Sequence, residues 1–309
     1  MRNLRVAAAQ VGGIQPDETR TEVVGRLLDL MERAAGAGCR LVVFPELTLT
    51  TFFPRYFLED ISSADTYFET AMPGPETRPL FDASRRLGVG FHLGYAELVR
   101  DGDRHRHFNT AILVDSGEII GKYRKVHLPG HAEHLPEAPF QHLEKRYFEV
   151  GDLGFPVWKA FGGVFGMCIC NDRRWPETYR VLGLQGVEMI VLGYNTPEVN
   201  IHHREPAHLR MFHHRLSLQA GAYQNATWVV AAAKCGVEDG SRLIAGSAIV
   251  SPHGEIVAES AGEGDELIVA DCDLDVGTDL KRHVFDFARH RRTEHYGLIT
   301  ERTAPVLPD

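Results

Sequence analysis

The sharpest chemical signal in the 309-residue chain is the stretch 164–176, Val-Phe-Gly-Met-Cys-Ile-Cys-Asn-Asp-Arg-Arg-Trp-Pro. Residues 164–169 form an apolar run that reads as a buried strand. At Cys170 the character changes. Asn171, Asp172, Arg173 and Arg174 follow, and Pro176 stands where a helix can start. A cysteine at a strand end, on a tight turn before a helix, is held rigidly with its sulfur exposed, as a nucleophile requires. The two arginines supply positive potential that favours thiolate and can hold an anionic substrate group. Cysteine is also a common buried core residue, but a core role explains the doubly cationic turn poorly. Cys168 lies one step inside the apolar run and is expected in the core.

A thiol attacking a carbonyl carbon needs a base for its proton, donors for the oxyanion, and an acid for the leaving amine. Glu46 follows Phe44-Pro45 at the end of an apolar run and can serve as base and acid. Lys125 ends the segment Tyr123-Arg124-Lys125 and, with the backbone N–H of Asn171, can hold the oxyanion. A buried lysine flanked by a carboxylate and a thiolate stays charged. Taken singly, such a glutamate is usually a cap or ion-pair partner and such a lysine a solvated charge; the three motifs together carry the functional reading.

These residues need a scaffold that gathers strand ends. Strands are predicted over 4–11, 39–44, 89–97, 108–114, 118–123, 164–169, 187–193, 227–233, 248–257 and 266–271. Helices are predicted over 18–37, 76–88, 177–186, 207–225 and 274–287, with an extended tail from about 288. Residues 129–153 read as a long ordered loop or lid, since Phe140, Leu143, Tyr147 and Phe148 can pack. Alternating strands and helices with interspersed hairpins imply a layered α/β domain with a mixed sheet. No linker or repeat divides residues 1–309, so a single domain is expected. Glu46, Lys125 and Cys170 each end a predicted strand or hairpin, and such ends share one rim of an α/β sheet.

The bulk numbers agree. Hydrophobic content of 44% supports a sizeable core, and a net charge of -9 gives no electrostatic footprint for nucleic acid. Five cysteines, Cys39, Cys168, Cys170, Cys235 and Cys272, lack disulfide-framework spacing and fit a reducing cytoplasm. The N-terminus runs straight into a strand with no signal-peptide pattern, and no window reaches membrane-spanning length.

Phe44-Pro45-Glu46, Tyr123-Arg124-Lys125-Val126-His127 and Cys170-Asn171-Asp172 resemble, in order and spacing, the Glu-Lys-Cys triad of the nitrilase/carbon–nitrogen hydrolase superfamily. The resemblance runs from residue 6 to about residue 298. Within it, FPELTLTTFFPR, FNTAILVD, GKYRKVHLPG, PFQHLEKRYFEVGDLGFPV, CNDRRWPETYR and GYNTP are most similar to the N-carbamoyl-D-amino acid amidohydrolase (D-carbamoylase) branch. The resemblance implies a four-layer αββα sandwich and hydrolysis of N-carbamoyl-D-amino acids through a covalent thioester-type intermediate. It implies Glu46 as general base, Lys125 as oxyanion lysine, Cys170 as nucleophile and Glu144 as a second glutamate positioning the lysine and substrate. Arg173, Arg174, Asn195 and Thr196 match positions that bind the substrate carboxylate, and His127 and His142 match pocket histidines. It further implies no metal or organic cofactor, and a homodimer or homotetramer. Paired arginines suit an α-carboxylate, which they bind bidentately. The chain departs from the family pattern at 131–138 and 198–208, two loops that can border the pocket.

Histidines at 127, 131, 134, 142, 202, 203, 213 and 214 raise a metal centre as the rival reading. No HExxH helix or CxxC pair accompanies them, and the neighbours His213 and His214 face different directions on a helix. Hydrogen-bonding roles in the lid or pocket are expected instead. The other rivals are a related hydrolase of L- or β-ureido acids or amides, and a binding protein that retains the fold.

Overall fold

The computed structural model describes residues 1–102, 104–138, 140–199 and 205–308. Two mixed sheets lie face to face. The first has the order β5-β4-β3-β2-β1-β14, from β1 (Asn3–Gly12), β2 (Leu41–Val43), β3 (Gly90–Asp101), β4 (Arg104–Asp115), β5 (Glu118–Arg124) and β14 (Glu266–Asp273). The second has the order β6-β7-β8-β9-β12-β13, from β6 (Val157–Ala160), β7 (Gly163–Ile169), β8 (Met189–Tyr194), β9 (Trp228–Cys235), β12 (Ala248–Val250) and β13 (Ile256–Glu259). The sheets touch edgewise where Val11 and Gly12 pair with Lys234 and Cys235. A small hairpin of β10 (Val237–Glu238) and β11 (Ser241–Arg242) follows β9.

Period-two patterning in β1 builds two cores at once. Val6 and Ala8 join the core between the sheets, with Leu41, Val43, Met167 and Val191. Ala7, Ala9 and Val11 face the outer layer, with Leu27, Leu30 and Met31 of α1 (Arg20–Gly36) and Leu80 and Phe81 of α2 (Arg78–Leu87). Thr19 and Glu22 form a reciprocal capping box that fixes the start of α1. On the second sheet, α4 (Pro176–Leu184) and α5 (Ala207–Asn225) contribute Leu182, Leu218 and Ala222 to its core. The result is the expected αββα sandwich.

Within the region 129–153, the part around α3 (Glu144–Tyr147) is packed against the body of the protein. Leu143, Tyr147 and Phe148 form an aromatic cluster with Leu47, Phe52, Phe53 and Phe68, and α3 sits inside it.

Several sequence expectations change. The strand expected over 248–257 is a hairpin, because the turn through Pro252 and Gly254 (φ 82) breaks the ladder. The helix expected over 274–287 shrinks to α6 (Gly277–His283). Beyond residue 286 the chain winds into the short helices α7 (Phe287–His290) and α8 (Gly297–Glu301) where an extended tail is expected. β6 was not anticipated at all; it is a half-buried edge strand with little periodicity. Among the described residues no helix is long and apolar enough to cross a membrane.

Candidate active site

Cys170 directly follows β7 and begins a five-residue 3-10 turn, Cys170–Arg174. Its φ of 45 places a non-glycine residue in the left-handed region, a strained conformation that the surroundings must enforce. Asp172 does much of this. One carboxylate oxygen accepts from the Ile169 backbone N–H (3.0 Å) and the Tyr123 hydroxyl (2.8 Å), the other from the His127 backbone (2.9 Å) and ring Nδ1 (2.8 Å). Arg173 clamps the turn from its other side. Its Nη1 donates to the Cys170 carbonyl at 2.6 Å and lies 3.7 Å from Sγ, while Nη2 donates to Thr196 Oγ1 at 3.0 Å.

Glu46 follows β2 on a turn that both sheets squeeze. A Cβ at Gly193 of β8 would lie 2.3 Å from the Glu46 nitrogen, and one at Gly94 of β3 would lie 2.7 Å from the Glu46 Cα. Only glycine allows that approach. The Glu46 carboxylate accepts through Oε1 from Lys125 Nζ (2.7 Å) and Asn109 Nδ2 (2.8 Å). Oε2 is buried without a hydrogen-bond partner. Lys125 leaves the end of β5, its backbone N–H tied to the Asn109 carbonyl at 2.8 Å. Its fully buried Nζ also donates to Glu144 Oε2 at 2.6 Å. Glu144 Oε1 in turn accepts from His142 Nε2 at 3.1 Å. Three donors on an ammonium leave Lys125 one N–H beyond these two carboxylates.

The charges are arranged with a purpose that chemistry can read. Burial pulls the Lys125 ammonium down, but Glu144, Glu46 and Cys170 outweigh it, and the net shift is upward, so it stays protonated. Burial raises Glu144, yet Lys125 and His142 hold it below the usual carboxylate range. The Cys170 thiol is pushed up, first by burial and then by Glu46, with Lys125 and Arg173 opposing. A thiol kept protonated at rest needs a base in contact, and the one unsatisfied carboxylate oxygen of Glu46 can supply it.

Cys170 and Glu144 line a cavity of about 420 Å³ together with His142, Asn171, Asn195 and Thr196. Arg174 also lines it, and its half-buried guanidinium makes no hydrogen bond or ion pair among the described residues. Burial and the neighbouring Arg173 push Arg174 down to about 10, so it remains charged at neutral pH. The Asn195 amide nitrogen is buried and without a partner. A guanidinium and an amide N–H, both unpaired, can hold an anionic oxygen pair beside the sulfur. The cavity also includes Arg210, whose Nε donates to the Pro197 carbonyl at 2.8 Å and whose Nη1 pairs with Glu205 at 3.4 Å. A comparable cavity of about 490 Å³ lies between α4 and the C-terminal helices, near Arg180, Phe287 and Tyr296, and no cysteine lines it among the described residues.

The structure thus brings together Glu46, Lys125, Glu144 and Cys170, with Asn171, Arg174, Asn195, Thr196 and His142 around the cavity. Two expected pocket residues are placed elsewhere. Arg173 is 1% exposed and committed to Cys170, Thr196 and His214, so it is not free to bind a carboxylate. His127 stacks on Trp175 at 5.1 Å and on Phe155 at 6.0 Å, held by Asp172, and supports the turn from behind. Both are drawn away by the need to satisfy the strained Cys170 turn. Cys168 is fully buried, as expected.

Sequence reasoning missed Asn109, Arg210 and the two glycines. Asn109 could have been flagged as a polar residue heading an apolar strand; Arg210, mid-helix, gives no local signal. Among the remaining histidines, His134 stacks on Phe57, His213 pairs with Glu205 at 2.5 Å, and His214 is buried against Tyr194. His202 and His203 lie outside the described residues. Among the described residues, no group of three or more His, Cys, Asp or Glu is placed to hold a metal ion.

Residues 5–282 match the model of the family described as Carbon-nitrogen hydrolase. A nitrilase from Pyrococcus abyssi (strain GE5 / Orsay) is 32% identical over 271 residues, covering 86% of this chain and 90% of that protein. An N-carbamoylputrescine amidase from Solanum lycopersicum is 27% identical over 314 residues, covering 96% and 95% respectively. A solved carbon-nitrogen hydrolase from Helicobacter pylori G27 superposes with a TM-score of 0.82 at 22% identity, covering 97% of this chain and 99% of that one, and shows the shared fold.

Proposed function

The chain belongs to the carbon–nitrogen hydrolase family, and on that premise we propose that it hydrolyses N-carbamoyl-D-amino acids to the D-amino acid, ammonia and carbon dioxide. The observation that carries this reading is the Arg174 guanidinium and Asn195 amide in the same cavity as Cys170, both without a partner among the described residues. They suit an α-carboxylate separated from a ureide nitrogen by a single carbon. The D configuration is supported by the resemblance of stretches such as CNDRRWPETYR and GYNTP to the D-carbamoylase branch.

The proposed chemistry balances as follows. Glu46 Oε2 takes the thiol proton as Sγ attacks the ureide carbon. The third N–H of Lys125 and the Asn171 backbone N–H receive the oxyanion. The tetrahedral adduct collapses, the C–N bond breaks, and Glu46 returns its proton to the departing nitrogen. Water, deprotonated by Glu46, then attacks the carbamoyl thioester and frees Cys170. The released carbamic acid loses carbon dioxide to give the second amine. Glu144 fixes Lys125 between two carboxylates throughout.

The same reading takes the enzyme as cytoplasmic, which five free cysteines suit. It takes the assembly as a homodimer or homotetramer, supported by exposed Val181, Leu184, Phe212 and Leu216 on α4 and α5; sedimentation measures it.

The test is a panel scored by ammonia release: matched N-carbamoyl-D- and L-amino acids, N-carbamoyl amines and simple amides. Preference for the D-carbamoyl acids, lost in a folded Cys170→Ala protein, is expected. Faster turnover of uncharged amides or N-carbamoyl amines would reject the substrate class. Unchanged turnover by Cys170→Ala would reject the nucleophile.

A further inference from the structure

A second set of buried charges takes no part in the chemistry above. Glu238, on β10, is fully buried and receives four donors. They are the backbone N–H of Ile14 at 3.0 Å, the backbone N–H of Phe52 at 2.8 Å, Arg55 Nη2 at 3.0 Å and Lys234 Nζ at 2.9 Å. Lys234, fully buried on β9, also donates to the Thr50 carbonyl at 2.7 Å. Burying such ions is costly even when they are paired, and an apolar cluster of equal volume is often as stable. Stability alone is therefore a weak account of this one.

Its connections suggest a better one. Apart from the bond to Ile14, the cluster grips residues 50–55. That segment begins four positions after Glu46, across Leu47, which is held at φ 45. Its far end carries the part around α3: the Leu143 backbone N–H donates to the Pro54 carbonyl at 2.8 Å, immediately before α3 and Glu144. Phe52 meets His142 edge-on at 5.4 Å, and His142 donates to Glu144. Both carboxylates that hold Lys125 are thus anchored on one strapped segment. Lys234 also lies within electrostatic reach of Glu46.

We propose that the buried Lys234–Glu238–Arg55 cluster is a positioning device for hydrolysis, fixing residues 47–55 so that Glu46 and Glu144 meet Lys125 together beside Cys170. This rests on the roles given above to Glu46 and Glu144. None of the three cluster residues touches the reacting atoms. They act through backbone placement, and a displacement of about 1 Å in such a group costs about 100-fold in rate.

The experiment compares Glu238→Gln, Arg55→Met, Arg55→Lys and Glu46→Gln in the full chain. Ammonia release on the best substrate of the panel gives kcat and KM, iodoacetamide gives the alkylation rate of Cys170, and melting gives Tm. Glu238→Gln and Arg55→Met are expected to lower kcat about 100-fold with much smaller changes in KM, and to slow alkylation in parallel. Arg55→Lys, which keeps a cation facing Glu238, is expected to recover about tenfold of that loss. A lowered Tm with wild-type kcat and alkylation would overturn the proposal, leaving the cluster a purely stabilising one. Equal kcat in Arg55→Lys and Arg55→Met would overturn it as well, and that comparison stands even if Glu238→Gln does not fold. Wild-type turnover by Glu46→Gln would remove the reading beneath the proposal; an inactive Glu46→Gln beside an active Glu238→Gln would remove the proposal alone.

Discussion

Gly193→Ala tests whether Glu46 is placed by the close approach of β8. The new Cβ would stand 2.3 Å from both the Glu46 nitrogen and the Pro45 carbonyl carbon, and 2.8 Å from the Phe44 carbonyl oxygen. Ordinary contact starts at 3.4 Å, so the strand and the turn must separate by about 1 Å. Every atom in the way is backbone, so no side chain can swing aside. Overpacking of this kind costs about 1–3 kcal/mol. The larger effect falls on rate, because Glu46 and its unsatisfied Oε2 move with the turn, and a shift of about 1 Å costs about 100-fold in kcat/KM. The matched control is Gly25→Ala in α1, where no atom lies within 4 Å of the added carbon. That change is expected to leave kcat/KM unaltered and to stabilise by about 0.5–1 kcal/mol. Ammonia release and calorimetric melting on both variants make the comparison. Wild-type kcat/KM in a folded Gly193→Ala protein would refute the claim that this approach sets the position of Glu46.

Two further outcomes follow from the site and its surroundings. Arg174→Met should raise KM for carboxylate-bearing substrates by about 10–100-fold, the value of one charge-assisted contact, whereas Arg173→Met should act mainly on kcat by loosening the Cys170 turn; steady-state kinetics showing the reverse split would contradict the placement of the two guanidiniums. His92 is fully buried, donates Nδ1–H to the Phe44 carbonyl at 3.0 Å and leaves Nε2 unpartnered. Burial lowers it from 6.5 to about 4, so the unfolded chain takes up a proton that the folded one refuses. Stability is therefore full above the unfolded value and declines as pH falls from about 6.5 to about 4, by about 3 kcal/mol. His92→Met should reduce the slope of the Tm-against-pH curve in that window without abolishing it, because burial and the neighbouring Arg173 hold His214 well below its ordinary value in the same way; an unchanged slope would exclude His92 as a sensor.

Much of the fold was legible because its strands and helices carry their own period. α5 was predicted at its observed limits, and the strand at 4–11 appears within β1. The losses came where tertiary contacts override local pattern. β2 is only three residues long because the chain must turn at Pro45 to deliver Glu46 between the sheets. β6 has no periodicity to read and exists because β7 offers it an edge.

The chain by itself determined which chemistry is possible: a cysteine on a polar turn after an apolar strand, a glutamate after Phe-Pro, and a lysine ending a hairpin. Those are local facts of residue type and order. The tertiary structure alone decided the division of labour between adjacent arginines. Arg173 turns inward to satisfy a strained carbonyl and Arg174 outward to an open cavity. It alone recruited Arg210, Asn109 and the Lys234–Glu238–Arg55 cluster, because a buried charge finds its partners by proximity in space, and sequence separation carries no record of that proximity.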